Sequence, residues 1–249
     1  MKLYLGSPHG QPRIVSEASS VSNDPLYIFE SIYYIKEWMF MFIDGKLWNF
    51  MLDSGAFTFM KTKQAINIDW DDYVDRYSDF ILEHDVELFH ELDIDVLVGL
   101  KRVEQLRDRL ETRTRRQCLP VWHRSRGLNY WKALVKDYQY VSIGGLVMKE
   151  IKRTEYKVFR PLCDIAHEQE TQVHGLGFSP TSGMKRCYFD STDSTNWSMG
   201  GRAGYVDKFN GSRMVKALAK EGAKLIPHEG ARFNFHEWVK YQRYMKHAG

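Results

Sequence analysis

The sequence predicts an α/β protein, a (β/α)8 barrel of the TIM type in one domain over residues 1–249. Three observations lead there. Short apolar runs with polar or glycine-bearing ends recur along the whole chain, amphipathic segments lie between most of them, and the alternation repeats seven or eight times in 249 residues. A hydrophobic content of 43% at this length supports one substantial core and leaves little for a second. A doubly wound open sheet is the competing architecture, but the first strand is not followed by a glycine-rich dinucleotide fingerprint.

In chain order, the strand candidates are KLYLGS (2–7), LWNFMLDSG (47–55), VELFHELDID (86–95), CLPVWH (118–123), YVSIGGL (140–146), TQVHGLGF (171–178), RCYFDS (186–191) and AKLIPHEG (223–230). The clearest helix candidates are 70–84, 103–116, 155–169 and 211–222, where apolar residues recur at helical spacing. The arginine-rich run RDRLETRTRR reads as a solvated helix face, because Asp108 and Glu111 interrupt it. No internal repeat or linker rich in Pro, Gly and Ser divides the chain.

Composition excludes several classes. The formal charge is only +3, so nucleic acid could not be bound by bulk charge and would need placed cations. Cys118, Cys163 and Cys187 are widely spaced, which predicts neither a disulfide framework nor a zinc site and suits a reducing cytoplasm. The most apolar stretch, 26–52, is broken by Glu30, Lys36, Glu37, Asp44 and Lys46, short of the roughly 20 uninterrupted apolar residues of a membrane span. The first residues lack the pattern of a signal peptide.

In a barrel of this type the reacting groups gather at the C-terminal ends of the strands. Those ends carry Asp53, Asp93 with Asp95, His123 with Arg124 and Arg126, Gly144 with Gly145, and Asp190 with Asp193. Several carboxylates facing one mouth repel one another unless a cation or a reaction uses them. Two chemistries fit: oxygen ligation of Mg²⁺, or nucleophilic and acid/base catalysis at a sugar carbon. Spacing along the chain does not separate them.

Four segments resemble the tRNA-guanine transglycosylase superfamily, in the same order and over roughly residues 47–205. MLDSGAF is similar to its DSGGF segment, SIGGLVMKE (142–150) to IGGLAVGE, and HGLGFSPT with YFDSTDST to its GVGTPE and FDCVLPTR segments. The resemblance implies a (β/α)8 barrel in which Asp190 attacks the anomeric carbon and displaces a nucleobase, while Asp53 handles protons. It further implies that Asp93, or Asp95 in its place, bonds the heterocycle and that Gly144, Gly145 and Leu146 line its edge.

Departures from the family qualify this reading. The cysteines of the family's zinc subdomain have no counterpart after Asp190, Ala56 replaces a glycine, Thr58 a glutamine, and Trp122-His123 a Gln-Gly pair. These changes argue against guanine exchange in tRNA and leave N-glycosidic chemistry intact. The resemblance thus extends to smaller relatives acting on DNA, among them 7-deazaguanine transglycosylases and phage-defence glycosylases. The expected outcome is a DNA glycosylase leaving an abasic site, with base exchange and a non-catalytic binding barrel as alternatives. No cofactor is expected. A base in duplex DNA would be flipped out, with Phe57, Trp122 and Trp197 as stacking candidates and Arg124, Arg126, Lys149, Lys152 and Arg202 as backbone contacts.

Overall fold

A computed structural model describes residues 1–60, 68–145, 150–178, 187–198, 205–218 and 227–247, apart from the side chains of Phe57, Met60, Arg153, Leu218 and Pro227. Eight strands run in parallel around a ring: β1 (Lys2–Gly6), β2 (Leu26–Ser31), β3 (Trp48–Asp53), β4 (Leu88–Phe89), β5 (Val121–Trp122), β6 (Tyr140–Ile143), β7 (Gln172–Gly175) and β8 (Ser191–Ser194). Their order is 4-3-2-1-8-7-6-5. The ring closes between His90 and Leu119, where the Leu119 N–H donates to the Phe89 carbonyl at 2.8 Å and the Glu91 N–H to the Leu119 carbonyl at 3.1 Å. This is the predicted TIM-like (β/α)8 architecture.

The connections carry α1 (Pro12–Ser20), α2 (Glu37–Asp44), α3 (Ala56–Met60), α4 (Trp70–Glu83), α5 (Asp95–Val98), α6 (Leu100–Thr114), α7 (Gly127–Asp137) and α8 (Phe159–His167). Asp69 starts α4 by accepting the N–H groups of Asp71 and Asp72. Asp71, Asp75 and Asp79 then meet Arg102, Arg109 and Arg113 of α6 at 2.5–2.7 Å. The arginine-rich run therefore faces the acids of a neighbouring helix.

After the barrel come an antiparallel hairpin, β9 (Tyr205–Phe209) and β10 (Met214–Leu218), and a long helix, α9 (Pro227–His247). Two expectations are corrected here. Residues 211–222 read as a helix, but Met214–Leu218 are a strand; Val215 and Ala217 pair with Lys208 and Val206, so packing against β9 overrides the helical spacing. The candidate strand 223–230 ends within α9, which places His228 and Glu229 in its first turn.

Register decides which residues face the barrel's interior. Cα partners side by side in a parallel sheet point to the same face. The pairs Tyr27↔Asn49, Phe29↔Met51, Ser31↔Asp53, Tyr4↔Asp193, Ser142↔His174 and His174↔Ser191 form one inward set. Its lower layers are filled by Tyr4, Met51 and Leu119 with Tyr27, Phe29, Leu88 and Tyr140. The alternate residues, such as Leu3, Leu5, Ile28, Leu52 and Val141, join the larger core between strands and helices. No described helix is long and apolar enough to cross a membrane.

Candidate active site

A cavity of about 220 Å³ opens at the C-terminal ends of the strands. Its walls include Phe29, Tyr34, Ala56, Val121 and Leu176, and five acidic residues line it: Glu30, Asp53, Glu91, Asp93 and Asp193.

Asp53 ends β3 and points inward by register. Its Oδ2 accepts the Gly55 N–H at 3.0 Å, closing the tight Asp-Ser-Gly turn. Gly55 has φ +78°, and a Cβ there would lie 3.1 Å from the Tyr73 hydroxyl and 3.2 Å from Ser31 Oγ. The turn thus requires glycine both for its conformation and for space. Burial is the main force raising the Asp53 pKa; the Gly55 bond opposes it, and the charges of Asp193, Asp93 and Glu30 add to it, giving a value of about 7. Asp53 can therefore hold a proton near neutrality.

Asp193 stands across the mouth on β8. Its Oδ1 accepts the Gly177 N–H and lies 3.3 Å from His174 Nε2. The opposite placement of Asp190 is the main correction to the sequence reading. Asp190 precedes β8: its carbonyl accepts the Lys2 N–H, and its carboxylate meets the Val173 N–H at 2.8 Å and His167 at 2.9 Å. These partners open β1 and β7 and close α8, so Asp190 sits at the N-terminal end of the barrel, away from the cavity. The strand expected at 186–191 begins only at Ser191; Tyr188 has φ +61°, and Cys187 and Phe189 pack in the outer core.

On the opposite wall, His123 stands between two acids, with Nε2 2.7 Å from Asp93 Oδ2 and Nδ1 3.2 Å from Glu150 Oε2. Burial works against its charged form, yet the hydrogen bond and charge of Asp93 outweigh burial and raise its pKa. The glycine pair makes room for this arrangement. A Cβ on Gly144 would lie 2.7 Å from the His123 ring, and one on Gly145, at φ +78°, would meet the Glu150 carboxylate. The Gly144 N–H is taken by Trp122 and the Gly145 carbonyl by Glu150. Of the two glycines expected to line the base edge, Gly145 lines the cavity and Gly144 does not.

Other expected roles also shift. Trp122 alternates with Val121 and His123 and faces outward, donating to the Gly127 carbonyl at 2.8 Å and packing on Trp131. Trp197 is a core residue that donates to the Gly6 carbonyl and packs on Phe235. The Arg126 side chain is 2% exposed and is locked to Glu91, Asp93 and Asp95, each at 3.0 Å, so it holds acids in place and presents no face to a phosphate. Arg124 is exposed and pairs with Glu155, and Lys152 is exposed beside it. The Phe57 side chain, Leu146, Lys149 and Arg202 lie outside the described residues.

Glu30 accepts both the His9 backbone N–H and, at 2.7 Å, its ring nitrogen, while the His9 ring stacks on Tyr34. His90 forms part of the floor; burial first, and the nearby His174 second, lower its pKa to about 3, so it is neutral. Neither residue stands out in the sequence, because neither belongs to a motif. No group of three or more metal-ligating side chains occurs among the described residues.

No protein-family model matches the chain, and no curated protein matches its sequence. Among solved structures, the carboxyl transferase domain of pyruvate carboxylase from Rhizobium etli is similar at a TM-score of 0.46 and 15% identity, and its 3-bromopyruvate complex at 0.46 and 14%. The alignment covers 98% of this chain and 48% of those chains, so this chain spans about half their length.

Proposed function

We propose that the protein cleaves the N-glycosidic bond of a nucleobase in DNA, with Asp193 as nucleophile and Asp53 as general acid and then general base. The observation that carries this reading is the pair of carboxylates facing one cavity, of which Asp53 retains its proton to about pH 7. A protonated acid and a second carboxyl group at one mouth are what acid-assisted nucleophilic cleavage of a glycosidic bond needs. The Asp193 carboxylate attacks C1′ as the C1′–N bond breaks, and the departing base takes the Asp53 proton. Asp53, now ionised, accepts a proton from water as that water attacks C1′ of the ester. The products are free base, an abasic sugar and both acids in their starting states.

The remaining side chains suit the recognition of a flat heterocycle. Phe29, Tyr34, Val121 and Leu176 offer apolar walls, and Asp93, held by His123 and Arg126, offers acceptors to the base edge. Arg124 and Lys152 are candidates for phosphate contacts.

The test is to incubate the protein with genomic DNAs carrying different base modifications, then measure released bases by mass spectrometry and abasic sites on the same samples. Free base with matching abasic sites supports excision. Release that requires an added free 7-deazaguanine and leaves no abasic site would replace excision with exchange. If neither occurs on any DNA while the protein binds it, the barrel is a binding protein.

A further inference from the structure

Beneath Asp193, polar side chains replace the apolar filling on one side of the barrel interior. His174 and Ser191 are fully buried. His174 Nδ1 lies 2.5 Å from Ser191 Oγ, Ser191 Oγ bonds the Tyr140 hydroxyl, and His174 Nε2 faces Asp193 Oδ1 at 3.3 Å. Among the described residues, the rings of Tyr4, Phe29, stacked at 6.1 Å, and His90 pack beside the imidazole.

Each hydroxyl has one hydrogen, so beside a neutral imidazole the chain can run in one of two directions. If His174 carried its proton on Nδ1, Nε2 would turn a lone pair toward the Asp193 carboxylate. Ser191 would then donate to Tyr140, whose own hydrogen has no acceptor among the described side chains and would have to reach solvent at the partly exposed end of the barrel. In the other direction every group is satisfied: Tyr140 donates to Ser191, Ser191 to His174 Nδ1, and the Nε2–H to Asp193.

We propose that Tyr140, Ser191 and His174 form a one-way hydrogen-bond chain up the barrel interior that fixes His174 as the Nε2–H tautomer and orients Asp193 as a carboxylate. The three are positioning residues and never touch substrate. Ser191, His174 and Asp193 contain the residue types of a hydrolytic triad, but Ser191 is buried beneath the histidine and acts only as a relay. The catalytic consequence rests on the proposed role of Asp193; the tautomer does not.

The experiment is long-range ¹H–¹⁵N correlation on full-length protein labelled with ¹⁵N-histidine at pH 7. His174 is assigned by the loss of its signals in His174→Gln or, if that variant does not fold, by the largest perturbation in Tyr140→Phe. The expected result is a pyridine-type Nδ1 and a pyrrole-type Nε2. An Nδ1–H tautomer or a doubly protonated ring would overturn the proposal. On a DNA from which the wild type releases base, Tyr140→Phe should lower kcat by about ten- to a hundredfold with KM unchanged. An unchanged kcat would overturn the positioning role, and absence of release by the wild type would count against the function but not the tautomer.

Discussion

Asp53 and Asp190 show how far a single residue can be read from sequence. The DSG turn identifies Asp53 because its setting is local: the strand end, the Gly55 N–H and the positive φ lie within three residues. Asp190 and Asp193 cannot be separated that way, since three positions along a strand decide both its face and its end. The count of two from Ser191 to Asp193 was available as a signal, but only once β8 was placed. Asp53 also permits a stability test. Unfolded, it ionises near 3.8; folded, it keeps its proton to about 7. Between those values the folded state binds more protons, so stability is lost as pH rises through the window. Asp53→Asn should therefore raise thermal stability at pH 8 by on the order of 1–3 kcal/mol and leave it unchanged near pH 4, as read by melting curves at the two pH values. The same variant should slow base release by about 10²- to 10⁴-fold.

At the scale of elements, β1, β3, β6 and β7 were legible because their apolar runs reach the core, as were α4 and α6. β8 was not: its sequence STDS contains no hydrophobic residue, and its buried side chains are satisfied by bonds to β7 and β6. β10 misled in the other direction, its apolar spacing fitting a helix until it meets β9. Arg126 likewise looked like a surface cation beside the mouth. Its position after β5 instead sets it among acids projecting after β4, where it bonds Glu91, Asp93 and Asp95 at once. Arg126→Met should destabilise the fold by about 3 kcal/mol, measured by urea unfolding, because it removes the cation shared by Glu91, Asp93 and Asp95 and leaves only Arg107 and His123 to offset the first two. Asp75→Ala, which breaks an exposed pair in the α4–α6 ladder, should cost less than about 1 kcal/mol in the same assay.

For the whole molecule, the alternation of runs conveyed the barrel, but not how its end is tied down. Gln242 of α9 is buried and spans two strands, donating to the Leu3 carbonyl at 2.8 Å and the Tyr27 carbonyl at 2.7 Å and accepting the Tyr27 N–H at 3.2 Å. Asn234 and Glu237 of the same helix accept the N–H groups of Asp207 and Phe209, binding the hairpin as well. A contact more than 200 residues long in sequence leaves no local pattern. Gln242→Ala should lower stability by about 1–3 kcal/mol in thermal or urea unfolding, since it leaves buried backbone groups unpaired.

The proposed function depends on the same long-range geometry, which brings Asp53 and Asp193 to one mouth and sends Asp190 to the other end. The decisive measurement is base release from a cleavable modified DNA, quantified by mass spectrometry for the wild type, Asp193→Asn and Asp190→Asn. Release should fall by at least about a thousandfold in Asp193→Asn and stay near wild-type in Asp190→Asn. Full release by Asp193→Asn, or its loss only in a well-folded Asp190→Asn, would contradict the proposed mechanism.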